Sequence, residues 1–274
     1  MEIMKYRFLT LYSGSSGNST LISDGHSTVL IDAGKSARSL CSALTSVGSG
    51  IEKVDAIFIT HEHCDHISAL EVLAKKHRIP VHITEESAKK FDKYPDSPLH
   101  SVFVRHDICF CETVGNITVS SFRTPHDSNM SVGYKIELED EDGKHVLGVA
   151  TDMGHITEDI RNGLAGCEAV VLESNHDTAM LDDGPYPEHL KQRIRSKKGH
   201  LSNKDSASFA GELAANGTKG FILAHLSREN NHPQIAFDEA NSVICDPSVC
   251  ILVADPDIPT ELSITQGDLA YDRI

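Results

Sequence analysis

Long apolar runs are missing from this chain: nothing approaches the roughly 18 consecutive apolar residues that a membrane-crossing helix needs. Tryptophan is absent as well. The opening residues, MEIMKYRFLTLYSGSSG, lack a basic segment followed by an apolar stretch and a small-residue cleavage site, so no secretory signal is expected. Cysteine is sparse and odd in number, seven residues at 41, 64, 109, 111, 167, 245 and 250, without the spacing of a disulfide framework. That pattern reads as reduced thiols in a cytoplasmic protein. Positive charge is short too, with 25 Lys+Arg against 40 Asp+Glu and a formal net charge of -15. Non-specific wrapping of nucleic acid is thereby disfavoured, since phosphates are repelled over roughly 8 Å in physiological salt.

What remains is an ordinary globular composition. Apolar residues fill 39% of 274 positions, ample for one sizeable core. Strands and helices alternate from end to end, with no low-complexity tract or repeat of 20 to 50 residues between them. YRFLTLY (6–12), STLIS (19–23) and STVLID (27–32) read as three consecutive strands. A helix over 36–47, the buried strand DAIFIT (55–60), a helix face of Ile67, Leu70, Leu73 and Ala74, and the strand VHI follow. Strands at 117–124, 131–139 and 144–151 suggest a second half-sheet, the last two joined through EDEDGK. A helix near 157–164, the strand AVVLE (169–173), helices near 186–196 and 203–215, and the strand GFILAH (220–225) come next. The closing helix opens at Pro233, with Ala236, Phe237, Ala240, Val243 and Ile244 on one face. This predicts one domain over 1–274, an α/β protein with two sheets packed together and helices outside.

The informative segment is THEHCDH, Thr60 to His66, directly after a buried strand. A continuous helix would set His61 and His63 about 200° apart, whereas a turn at a strand's end lets His61, His63, Asp65 and His66 converge. Imidazole and carboxylate are ligands for Zn, Mn or Fe, and two ions about 3.5 to 4 Å apart need six or seven of them. The motif supplies four. Cys64 is not needed as a ligand and is expected to pack as a small apolar group.

HEHCDH is similar to the HxHxDH signature of the metallo-β-lactamase fold superfamily. That resemblance implies an αββα four-layer sandwich, two mixed sheets face to face. It also implies that the remaining ligands sit at later strand ends: His126 in TPHD, Asp152 in ATDMG and His225 in LAHLS. His61, His63 and His126 would hold one ion, Asp65, His66 and His225 the other, with Asp152 between them. An acidic residue rather than a thiolate at the bridging position disfavours a true β-lactamase. Taken together, SGSSGNS, HEHCDH, TPHD, ESNHD, GHLSN and LAHLSRENN resemble the WalJ/YycJ-type branch across nearly the whole chain. The resemblance implies a metal-dependent 5′ to 3′ exonuclease acting on DNA, with duplex ends as its partner.

Outside the ligand motif, the loop SGSSGNST (13–20) reads first as a plain turn, although its glycines could form an anion nest. Ser202 with Asp205 fits a capping box, and the helix N-terminus it opens, with His200, Ser202 and Asn203, suits a phosphate oxygen. The run KQRIRSKKGH holds Lys191, Arg193, Arg195, Lys197 and Lys198, a candidate cationic rim for phosphates or else a solvated helix face. His176 is a candidate substrate contact or a partner that orients a ligand, His155 reads as structural or surface, and Cys109 with Cys111 as core.

Together these features predict a cytoplasmic dinuclear hydrolase that cuts phosphodiesters by in-line attack of a metal-bridging hydroxide. Asp65 would orient the nucleophile, and His200 would hold the scissile phosphate or protonate the leaving oxygen. The rivals are a small-molecule phosphodiesterase or thioesterase on the same metal core, and a non-catalytic metal-binding regulatory module.

Overall fold

A computed structural model of the protein describes residues 6–140 and 143–262. The tip of EDEDGK and the whole opening MEIMK segment lie outside those residues. One seven-stranded sheet holds β1 (Arg7–Tyr12), β2 (Ser19–Ser23), β3 (Thr28–Ile31), β4 (Ala56–Phe58), β5 (Val81–Thr84) and β6 (Phe103–His106). The other holds β7 (Cys111–Val114), β8 (Ile117–Thr124), β9 (Ser131–Asp140), β10 (Gly143–Ala150), β11 (Ala169–Glu173), β12 (Gly220–Ala224) and β13 (Cys250–Val253). The last strand, β14 (Thr260–Leu262), returns to pair antiparallel with β1 in the first sheet. Each sheet is mixed. β1, β2 and β3 form an antiparallel meander and β3 to β6 run parallel, while β7 to β10 are antiparallel and β10 to β13 parallel.

Strand periodicity builds the layers, because side chains along a strand alternate between faces. Phe8, Ile22, Val29, Ile31 and Phe58 point to the inter-sheet core, where they meet Val119, Tyr134, Ile136, Leu147, Val171 and Ile222 of the second sheet. Leu9, Leu21, Leu30 and Ile57 point the other way, onto α1 (Ala37–Ser46) and α3 (Leu70–Lys76). The second sheet repeats the scheme: Val170, Leu172 and Phe221 pack on α5 (Glu158–Leu164) and α8 (Asn203–Ala215), and Leu223 on α9 (Pro233–Ile244). Helix, sheet, sheet and helix thus make four layers with three apolar interfaces, and each fully buried large side chain contributes about 1.5–3 kcal/mol. The expected αββα class is observed, and no helix among the described residues is long and apolar enough to cross a membrane.

Several local expectations are corrected. The single helix over Ile67 to Ala74 is two, α2 (Cys64–Ile67) and α3, because the Ala69 N–H donates to the Ala33 carbonyl instead of continuing the helix. Two short helices were not expected, α4 (Glu85–Ala88) after β5 and α6 (Thr178–Asp183) after β11, while α7 (Glu188–Arg195) is the helix expected near 186–196. Cys109 and Cys111 are exposed, not core: Ile108 and Phe110 take the inward positions of that alternating segment. Cys64 is exposed on α2 and does not pack as an apolar group. Val243 also faces solvent, since only Ala236 and Ala240 of its helix are buried.

Candidate metal centre

Six strands end at one place. Asp32 follows β3, His61 follows β4, His126 follows β8, Asp152 follows β10, Glu173 closes β11 and His225 follows β12. Asp32, Asp152 and His225 have left-handed backbones, with φ of 65°, 56° and 58°. Such a conformation costs a residue with a side chain about 1 kcal/mol or more, and strain of this kind gathers where a side chain must be aimed. Here it turns the chain sharply at the ends of β3, β10 and β12.

From the first sheet, His61 and His63 come on extended backbone and Asp65 and His66 on α2. Their rings crowd, with His61 centroids 4.5 Å from His63, 4.1 Å from His66 and 5.0 Å from His126. His61 and His66 are both oriented through Nδ1. His61 Nδ1 lies 3.1 Å from Thr60 Oγ1, and that hydroxyl donates to Asp32 Oδ2 at 2.8 Å. His66 Nδ1 donates to the same Asp32 oxygen at 2.7 Å, while Asp32 Oδ1 accepts from the Thr60 N–H. Asn18, in the 13–20 turn, reaches His66 Nε2 at 3.1 Å and accepts from the Gly14 N–H. Gly34 makes this closeness possible, because a Cβ there would stand 1.6 Å from the Asp65 carbonyl oxygen.

The second sheet supplies the opposite wall. His126 Nδ1 faces the Gly199 carbonyl at 3.1 Å. Glu173, fully buried, accepts from His200 Nδ1 at 2.7 Å and His225 Nδ1 at 3.2 Å through Oε1, and from the Met153 and Leu201 N–H groups through Oε2. Asp152 stands between the walls: Oδ2 is 3.2 Å from His66 Nε2, and Oδ1 is 3.6 Å from His225 Nε2 and 3.7 Å from His126 Nε2.

The donor atoms fall into overlapping groups, each within 4.8 Å of one another: His61, His63 and His126; Asp65, His66 and His225; His61, His66 and Asp152; and Asp152, Glu173, His200 and His225. His61 Nε2 and His225 Nε2 are buried without a hydrogen-bond partner among the described residues, although their Nδ1 atoms are engaged. A lone pair aimed inward, with the other nitrogen held by a hydroxyl or carboxylate, is the arrangement of a metal-ligating histidine. Charge agrees. Burial opposes a proton on His66, yet Asp32 and Asp152 outweigh it and raise its pKa well above the ordinary value. The same contest, won by Asp152, Asp65 and Glu173, lifts His225 to about 10. Burial and the charge of His66 hold His61 neutral. Asp152, despite its burial, is kept ionised by His225 and His66. Buried carboxylates of this density demand cations, and divalent ions fit the donor set, displacing the protons as they bind.

His200 lies at the mouth, its ring 5.2 Å from both His126 and His225. Other expected substrate contacts are turned elsewhere. Ser202 caps α8, accepting from the Asp205 N–H and bonding its carboxylate at 2.7 Å. Asn203 is buried on Ser174 and Asn231. His176 is buried, and burial holds its pKa at about 4, so it stays neutral near pH 7. The cationic rim is largely consumed: Arg195 pairs with Asp182 and Glu188, Arg193 with Asp127 at 2.5 Å, and Lys191 is buried against the Asp182 carbonyl. Lys198 remains exposed, and His155 is a surface residue facing the Lys197 carbonyl. Glu173, Asp32 and Asn18 were not singled out in the sequence. The two acids carry a signal nonetheless, since each closes an otherwise apolar strand, where a charge is expensive unless paired. Asn18 carries none beyond its place in the glycine-rich loop.

Residues 27–225 match the family described as the beta-lactamase superfamily domain. Among curated proteins, the chain is 34% identical over 242 residues to the exodeoxyribonuclease WalJ of Streptococcus pneumoniae serotype 2, covering 86% of this chain and 87% of that one. It is 32% identical over 266 residues to the exodeoxyribonuclease YycJ of Bacillus anthracis, covering 94% and 99%. Among solved structures, the metallo-β-lactamase fold protein YhfI of Bacillus subtilis superposes with a TM-score of 0.70 at 19% identity, over 94% of this chain and 100% of that chain. This last likeness concerns the fold.

Proposed function

The chain belongs to the beta-lactamase superfamily domain family, and from that premise we propose that it is a two-ion, metal-dependent exodeoxyribonuclease that shortens duplex DNA from 5′ ends. The observation that carries the reading is Asp152 placed between two triads of inward-facing donors. In the proposed arrangement His61, His63 and His126 hold one divalent ion, Asp65, His66 and His225 the other, and Asp152 both. Zn and Mn suit this donor set equally, and Fe is compatible. Bound there, the ions supply a nucleophile from water at neutral pH and offset charge on the attacking and leaving oxygens.

The side chains do the positioning. Asp65 Oδ2, 3.5 Å from His66 Nε2 and 3.6 Å from His225 Nε2, stands where it can accept a proton from the attacking water and fix its direction. Glu173 takes His200 Nδ1 and leaves Nε2 for the substrate, where the imidazolium form donates to a phosphate oxygen or to the departing oxygen. Metal-defined protein incubated with end-labelled linear duplex, single-stranded DNA and RNA tests the proposal. Progressive 5′ shortening of duplex, lost after chelation and regained with Zn or Mn, is expected. Turnover of a simple phosphodiester with all three polymers intact would instead favour a small-molecule hydrolase.

A further inference from the structure

The cations at the mouth are unequal. Arg193 and Arg195 are spent on carboxylates, and Lys35 and Arg228 are both tied to Asp257. Arg123, at the end of β8, and Lys198, in the connection from α7 to α8, have no carboxylate partner among the described residues. Both line one cavity of about 320 Å³ with His126 on its wall. Thr124, Ser128 and Asn129 face it too, and Ser128 Oγ is buried with no hydrogen-bond partner among the described residues. Among the described residues Asp159 is the only carboxylate on the wall, so the cations outnumber it.

We propose that this cavity is the subsite for the deoxynucleotide adjoining the scissile phosphodiester, with Arg123 and Lys198 on phosphate oxygens and the hydroxyl and amide groups on the sugar. The inference rests on the nuclease reading and adds the residues that seat the strand. Its volume lies at the lower end of small-ligand sites, room for one nucleotide rather than a duplex. Among the described residues no aromatic ring other than the His126 imidazole lines it, so the unit is held by its sugar and phosphate and bases are not discriminated. Its place beside a ligand of the metal cluster puts a bound phosphate next to the reacting centre.

The double variant Arg123→Gln/Lys198→Gln tests this; both side chains are exposed, so folding is not at stake. KM for duplex DNA should rise at least about tenfold with kcat lowered less than about threefold, and the salt dependence should flatten by roughly 0.9 per lost phosphate contact. Titration of the metal-loaded protein with dAMP should weaken in parallel. Lys144→Gln, which removes a cation at the opposite end of β10, should leave KM within about twofold. Parent activity on DNA with an unchanged KM and salt slope in the double variant would overturn the subsite while leaving the nuclease reading intact. A parent inert on DNA whose dAMP binding is lost in the double variant would overturn the nuclease reading and keep the cavity as a nucleotide site.

Discussion

The two walls of the centre are supplied in opposite ways. The first sheet delivers His61, His63, Asp65 and His66 from one six-residue stretch, braced by Asp32 and Thr60 close at hand. The second sheet delivers His126, Asp152, Glu173 and His225 from separate strand ends, each dependent on the register of a different strand, and His200 comes from the connection between α7 and α8. A local motif can hold its own geometry, whereas an assembled wall needs a common brace. Glu173 is that brace, one carboxylate serving two imidazoles and two backbone N–H groups.

Removing the group shared by both walls should have the largest effect. Asp152→Asn tolerates the left-handed backbone but removes the charge, and kcat should fall by about 10³-fold or more with the chain still folded. Normal turnover by the metal-loaded variant would remove the bridging assignment. The comparison itself is sharpened by Glu173→Gln against Asp32→Asn. Loss of a partner that orients a metal ligand reduces affinity or activity about 10- to 100-fold. Glu173→Gln should lie at the upper end, because it presents an amide N–H to groups that are themselves donors and disturbs two rings. Asp32→Asn disturbs one ring directly and should lie at the lower end. Chelator competition and ion stoichiometry measure both, and a reversed order would break the idea of a brace concentrated on the second wall.

The same asymmetry governed what the sequence disclosed. HEHCDH is legible from spacing because its candidate donors are neighbours, and the strands and helices because periodicity reports burial. His126, Asp152 and His225 were reached through resemblance, since sequence distance says nothing about which strand ends meet. Glu173 is hidden in ESNHD, where His176 carries the more obvious chemistry although the fold buries both side chains. The basic run shows a related limit of composition: charge is local, but whether Arg195 is free depends on Asp182, a residue of a different helix. Cys109 and Cys111 were assigned to the core on the correct alternation with the faces exchanged, which a one-residue shift of phase suffices to do.

The smallest expected effect lies away from both walls and separates stability from metal chemistry. Phe58, His82, His106 and Phe110 form a stack with successive centroid distances of 4.4, 5.1 and 4.0 Å, and His82 Nδ1 lies 2.9 Å from His106 Nε2. Burial, reinforced by His106, lowers the His82 pKa to about 4, whereas an unfolded histidine protonates near 6.5. Above about pH 6.5 both states are neutral and the contribution to stability is complete; as the pH falls toward 4 the unfolded state gains a proton that the folded state refuses, and stability is lost. Glu112, 3.8 Å from His106 Nδ1, is the nearby carboxylate and only partly offsets this. His82→Phe keeps a ring in the stack and removes the titration, so the fall in Tm between pH 7 and pH 5 should narrow by about 2 °C. Bound metal should be unchanged, in contrast to Glu173→Gln, and parallel pH dependences for variant and parent would show that the acid sensitivity resides elsewhere.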